Sequence, residues 1–268
     1  MKLAAIQMVS GTQVEANLAA AHDLLRHAAA QGAELAVLPE YFCIMGRQDT
    51  DKLAVREPFG DGAIQNFLSR TAKELGLWIV GGTLPLACED ARRARNSSLA
   101  FSPSGHCVAR YDKMHLFRFT DGRVAHDETR VLEPGSQPVS FALASRDGHT
   151  YQIGMSICYD LRFPELYRAL NADVLLVPSA FTHTTGQAHW EVLLRARAIE
   201  NQACVVAAAQ GGLHENGRRT WGHTMVVDPW GQIIGQHDEG AAVVVADVLY
   251  DDLNATRMRL PALAHRLL

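Results

Sequence analysis

Two runs, Glu34-Leu-Ala-Val-Leu-Pro39 and Asp173-Val-Leu-Leu-Val-Pro178, constrain the fold of this chain more than any other stretch. Each opens on an acid, continues through apolar residues with no polar alternation, and stops at a proline. So short an unbroken apolar run reads as a buried strand. Proline has no N–H with which to continue a ladder, so each strand ends there. The residue after the proline then lies at the C-terminal edge of a sheet, where open α/β folds gather their chemistry. After Pro39 that residue is Glu40.

Around these runs, helical and extended patterns alternate. Residues 3–9 read as a first strand. Thr12 and Glu15 have the spacing of a capping box. Val14, Leu18, Ala21, Leu25 and Ala28 then recur at helical spacing, and the helix ends near Gly32. A second helix spans 63–75, closed by Gly76, and residues 77–82 form a strand. Residues 87–95 are charged and read as a solvated loop. Residues 96–102 and 106–111 form a hairpin about Pro103-Ser-Gly105. Residues 118–134 are polar and irregular, a long loop of the functional or mobile kind. Later come a helix over 187–201, a core strand over 203–209, a meander through 224–227, 232–234 and 242–247, and a last helix from about Asp251. No linker or repeat divides the chain, so residues 1–268 are expected to form one α/β domain, a mixed sheet covered by helices.

Between the two opening runs lies Tyr151-Gln-Ile-Gly-Met-Ser-Ile-Cys158-Tyr-Asp-Leu-Arg-Phe-Pro-Glu-Leu166. Its first half has strand character. Its second half opens a helix at Phe163-Pro164, with proline near N1 and Glu165 in the first turn. Cys158 sits on the turn, as on a nucleophile elbow. A thiol facing the positive end of a helix is expected to favour thiolate, the nucleophilic form.

Composition narrows the chemistry. A net charge of −4 argues against nucleic acid or an anionic membrane as partner. No apolar run approaches a membrane span, and the opening residues turn polar too soon for a signal peptide. Cys43, Cys88, Cys107, Cys158 and Cys204 are odd in number and scattered, which suits a reducing cytoplasm better than a disulfide framework. Twelve histidines include no His-Glu-x-x-His, and the pairs His22/His27 and His183/His189 lack zincin spacing, so no metal site is expected.

Three strand ends thus present Glu40, Lys113 and Cys158: a base, a cation and a nucleophile. The segments that carry them, Pro39-Glu40-Tyr41, Tyr111-Asp112-Lys113-Met114-His115-Leu116 and Cys158-Tyr159-Asp160-Leu161-Arg162-Phe163-Pro164-Glu165, closely resemble the signature segments of the nitrilase superfamily of carbon–nitrogen hydrolases, in the same order and at the same spacing. Residues 185–190, 195–200 and 221–231 also resemble that family, so the likeness covers nearly the whole chain.

The resemblance implies an α-β-β-α sandwich, no cofactor, and pairing into a homodimer or higher homo-oligomer. It also implies a mechanism. Cys158 attacks an amide carbon, and Glu40 takes the thiol proton and passes it to departing ammonia. Lys113 and the backbone N–H of Tyr159 hold the oxyanion, and water then hydrolyses the thioester. Glu128 matches by position a second glutamate that orients the lysine. Within the family the chain is most similar to the branch of deaminated glutathione amidase and omega-amidase. The expected substrate is the amide of a small carboxylate-bearing keto acid, with 2-oxoglutaramate or an N-carbamoyl compound as alternatives. Arg162 would grip the carboxylate, and Phe181 and Thr185 would close the pocket. One departure stands out: Arg118-Phe119-Thr120 replaces the acidic residue that usually follows the His-Leu segment.

Overall fold

Strand β1 (Lys2–Gln7) sets the layering. Its side chains alternate between two cores: Leu3 and Ala5 enter one, Ala4 and Ile6 the other. A strand whose two faces are both apolar must be covered on both sides. On one side lie helices α1 (Val14–Ala30) and α3 (Ala63–Leu75), which follow the strand and bury Ala21, Leu25, Ala28, Ile64, Leu68 and Ala72 against it; the short α2 (Asp51–Ala54) comes between them in the chain. On the other side lies a second sheet.

The computed structural model describes residues 1–120 and 125–267. The first sheet also contains β2 (Leu35–Val37), β3 (Trp78–Val80), β4 (Leu84–Ala87), β5 (Ala94–Phe101) and β6 (Cys107–Asp112). A small hairpin, β7 (Arg118–Thr120) and β8 (Ala125–Asp127), follows. The second sheet begins with β9 (Val139–Ala144), β10 (Thr150–Met155), β11 (Val174–Leu176) and β12 (Cys204–Ala207). After a two-stranded ribbon, β13 (Gly211–Leu213) with β14 (Arg219–Trp221), it is completed by β15 (Thr224–Val227) and β16 (Ile233–His237). Strand β17 (Ala242–Asp247) returns to the first sheet and lies antiparallel to β1. The orders are β17-β1-β2-β3-β5-β4, with β6 on β5, and β16-β15-β12-β11-β10-β9. Helices α4 (Pro164–Leu170) and α5 (His183–Asn201) place Leu166, Tyr167, Leu170, Trp190, Leu194 and Ala198 in the second sheet's core. This is the expected α-β-β-α sandwich. The chain closes with α6 (Tyr250–Arg259), and among the described residues no helix is long and apolar enough to cross a membrane.

Register positions the site. Val37 pairs with both Ala5 and Val80, and Leu176 with both Met155 and Val206. Glu40 therefore leaves the first sheet, and Cys158 and Ala180 the second, at the parallel strands' C-terminal edges.

Several local expectations give way to longer-range contacts. The three final strands form no meander, because β17 crosses to the first sheet. No capping box forms at Thr12: the N-cap is Gln13 without a side-chain bond, and the Thr12 hydroxyl donates instead to Glu215 at 2.9 Å. Helix α5 begins four residues before 187, with Thr182 as its N-cap. The stretch 118–134 is not wholly irregular, since it holds β7, β8 and a 3-10 turn at Glu128–Arg130.

Candidate active site

Glu40 enters through a strained turn. Tyr41 has φ 57°, a left-handed conformation costly for an aromatic residue. Gly82 packs against the same turn, where a Cβ would lie 2.0 Å from the Pro39 carbonyl oxygen. Only glycine allows that approach. The Glu40 carboxylate is buried and fixed at both oxygens. Oε1 accepts from Lys113 Nζ at 2.8 Å and Asn96 Nδ2 at 2.9 Å; Oε2 accepts from the Ala180 N–H at 2.9 Å.

Lys113 follows β6 and is also buried. Its ammonium donates to Glu40 and to Glu128, whose Oε2 and Oε1 lie at 2.8 and 3.1 Å. Glu128 accepts in addition from the Tyr41 hydroxyl at 2.6 Å and the Phe117 N–H at 2.7 Å. An ammonium has three donors, and one bifurcated N–H suffices for Glu128, which leaves one for a further oxygen.

Cys158 has φ 51° and donates its N–H to the Pro178 carbonyl at 3.0 Å. It starts a 3-10 turn, Cys158–Arg162, and α4 follows from Pro164 as the proline predicts. The expectation of a thiolate is not met. Burial pushes the thiol well above its ordinary range, and the Glu40 charge pushes it further, against the opposing pull of Lys113 and the Ala180 N–H. The pull of Lys113 does not offset burial and the neighbouring Glu40 carboxylate, so a second anion beside Glu40 is disfavoured. Burial alone would lower the Lys113 ammonium, but Glu128 and Glu40 outweigh it and hold the group well above its usual range. Burial would likewise raise Glu128, yet Lys113 and then Lys52 bring it down to about 2.

A second buried carboxylate joins two of the segments. Asp160, fully buried, accepts from the Tyr111 hydroxyl at 2.7 Å, the His115 N–H at 3.0 Å and the Ile157 N–H at 2.9 Å, and its Oδ1 lies 2.7 Å from His115 Nδ1. The His115 ring stacks on Phe163 at 3.7 Å. These contacts fix the Lys113 segment against the Cys158 turn.

Glu40, Glu128 and Cys158 line a cavity of about 300 Å³. Tyr159, Arg162, Phe181 and Thr185 line the same cavity, so the expected binding residues are brought together with the reactive ones. The Arg162 guanidinium stands 5.6 Å from the Tyr159 and Phe181 ring centroids, with Nη1 3.3 Å from His189 Nδ1. It forms no ion pair with Asp160, whose oxygens are taken up as described. Sequence reading missed four contributors. Tyr41 stood inside a recognised segment but had been given no role. Asn96 on β5, Ala180 through its backbone and Arg218 before β14 carry no local signal. Arg118-Phe119-Thr120 belongs to a loop, 117–124, that departs from the family pattern; residues 121–124 lie outside those described, while Phe117 lines the cavity and packs edge-on to Tyr159 at 5.2 Å.

The family model described as carbon–nitrogen hydrolase matches residues 2–258. A deaminated glutathione amidase of Synechocystis sp. is 40% identical over 98% of this chain and 97% of its own length. The human protein of that name is 38% identical over 98% of this chain and 81% of its own. Among solved structures, the Caenorhabditis elegans NitFhit protein superposes with a TM-score of 0.90 at 35% identity, over 99% of this chain and 65% of that one. An amidase from Nesterenkonia sp., captured with acrylamide added to its active-site cysteine, gives 0.77 at 27% identity over 97% and 98%.

Proposed function

The chain belongs to the carbon–nitrogen hydrolase family, and from that membership we infer a thiol-dependent amidase that acts on the amide of a carboxylate-bearing keto acid, deaminated glutathione foremost. The observation that carries the catalytic part is the Lys113 ammonium held between Glu40 and Glu128, two carboxylates that line one cavity with Cys158.

In this reading Cys158 rests as a neutral thiol. As its sulfur bonds to the amide carbon, its proton passes to Glu40 and the negative charge moves to the carbonyl oxygen. Lys113, with its remaining donor, and the Tyr159 N–H receive that oxygen. The net charge of the site does not change, which is why a raised thiol is compatible with attack: proton transfer accompanies it and does not precede it. The C–N bond then breaks and Glu40 returns the proton to the nitrogen. Every amide of deaminated glutathione is secondary, so on this substrate an amine leaves in place of ammonia. Water next gives a proton to Glu40 and attacks the thioester, and the departing sulfur recovers that proton. Glu128 positions Lys113. Arg162, which faces the cavity without a carboxylate partner among the described residues, receives the keto-acid carboxylate.

The test is turnover of deaminated glutathione and 2-oxoglutaramate side by side, with iodoacetamide labelling of Cys158 and its protection by substrate. Hydrolysis of the first at the higher kcat/KM is expected; activity on neither, or unprotected labelling, refutes the reading. Homo-oligomerisation belongs to the same proposal. Val192 and Ile199 on α5 are 68% and 49% exposed and seven residues apart, hence on one helix face, which supports pairing there. A monomer by light scattering would refute it.

A further inference from the structure

Arg218 differs from the other arginines around the site. Its Nε is buried without a hydrogen-bond partner. Its other nitrogens make only long contacts, Nη2 to the Ala180 carbonyl at 3.4 Å and Nη1 to Met45 Sδ at 3.9 Å. No carboxylate lies within ion-pair distance of it among the described residues. A guanidinium so placed is short of the acceptors it requires.

Arg218 and Thr182 line the catalytic cavity and also a second, larger space of about 1450 Å³, open to solvent. That outer basin is further lined by Arg47, Arg219, His126 and His183, with Asp49 as its one carboxylate among the described residues. Arg47 and Arg219 lie 3.2 and 3.7 Å from Glu215 and Glu239, so Arg218 is the arginine of the basin left unmatched. Thr182, the N-cap of the long α5, brings that helix's positive end to the same wall. The two spaces meet at Arg218 and Thr182, so a substrate whose acyl carbon lies at Cys158 has the outer basin open to its other half past Arg218.

We propose that Arg218 and the outer basin form a leaving-group subsite that recognises a carboxylate on the amine half of the substrate. The inference rests on the amidase reading above and deepens it. The preferred substrate carries an anion at each end, one for Arg162 on the acyl side and one for Arg218 beyond the scissile bond. A charge-assisted, two-pronged contact of this kind is worth about 10- to 100-fold in kcat/KM.

The experiment compares deaminated glutathione with the same compound capped as its C-terminal carboxamide, in wild type and in Arg218→Met. Wild type is expected to favour the free acid by about 10- to 100-fold. In the variant the ratio should fall to within about threefold of unity. The ratio is what is read, so a general loss of activity cancels. Arg218→Lys keeps the charge without the planar fork; it should give an intermediate ratio and serves if the methionine variant fails to fold. A ratio unchanged in the variants, or a wild type indifferent to the cap, overturns the subsite and leaves the amidase reading standing. Failure of wild type to hydrolyse either compound overturns the amidase reading, and the subsite with it.

Discussion

Replacing Glu128 by Gln isolates the charge that holds Lys113. Glu128 accepts from Lys113 at both oxygens, from Tyr41 and from Phe117, and it sits at about 2 in place of its usual 4.5. At 1.36 kcal/mol per pH unit, that depression is worth roughly 3 kcal/mol of folding stability at neutral pH. Removal of one partner from a buried ion pair independently suggests about 3–5 kcal/mol. Glutamine keeps the shape, but its NH2 group replaces either Oε1, which faces Tyr41 and Lys113, or Oε2, which faces Phe117 and Lys113, so a donor is left unmet either way. Because the folded carboxyl titrates below the unfolded one, its contribution is complete above about pH 4.5 and disappears as pH falls toward 2. The wild-type advantage in urea unfolding should therefore be flat from pH 7 to about 5 and should shrink by pH 3.5. In the same variant kcat should fall more than KM rises, since Glu128 acts through Lys113 and not on the substrate. A stability gap below about 1 kcal/mol, or one equally large at pH 3.5 and pH 7, would refute the charge argument. A change in KM alone would move Glu128 into the binding pocket.

Four further outcomes follow from the same geometry. Cys158→Ala should abolish turnover, whereas Cys204→Ala, in the core of β12, should cost about 1 kcal/mol of stability and no activity; residual turnover in the first variant ends the mechanism. Glu40→Gln should slow acylation and thioester hydrolysis together in single-turnover kinetics; normal acylation with stalled deacylation would contradict the double role. A thiol raised well above its ordinary range should alkylate faster with every step from pH 7 to 9, and a plateau near pH 7 would show a resting thiolate instead. Arg162→Met should lose heavily on an acidic amide and little on its ester-capped analogue, with Arg162→Lys between; equal losses on both would make Arg162 structural.

What was legible in the sequence lay within a few residues of a strand end. Lys113 follows β6 directly, Glu40 and Cys158 stand three residues past β2 and β10, and Pro39, Gly76 and Pro164 set boundaries by their own backbone chemistry. What was not legible depends on partners far along the chain. Thr12 and Glu15 have the right spacing, but Glu215 takes the hydroxyl from 203 residues away. Strand β9 does alternate, with Phe141 and Leu143 buried and Ala142 and Ala144 exposed, yet alanine on the outer face hides the contrast a reader relies on. Helix α5 begins ahead of Gly186. That glycine sits inside the helix because a Cβ there would meet the Trp221 side chain at 2.3 Å. Asn96 and Arg218 look like ordinary strand and loop residues until the sheets bring them to the cavity.

The state of the thiol failed for a different reason. A turn at the head of a helix and a nearby lysine both favour thiolate, and both are visible in one dimension. The burial that opposes them, and the Glu40 charge brought up against the thiol, exist only in three. The same distinction explains why whole segments, and not three isolated residues, were recognisable. Tyr111 and His115 flank Lys113, and Asp160 lies two residues beyond Cys158; none of them reacts in the proposed chemistry. Their side chains nevertheless meet at one buried carboxylate that also caps the Ile157 N–H. A buried charge tolerates no missing donor. So the cation's segment and the nucleophile's segment must carry matching residues for either to stand at its sheet edge, and it is this mutual requirement that spreads the signature over several neighbouring positions.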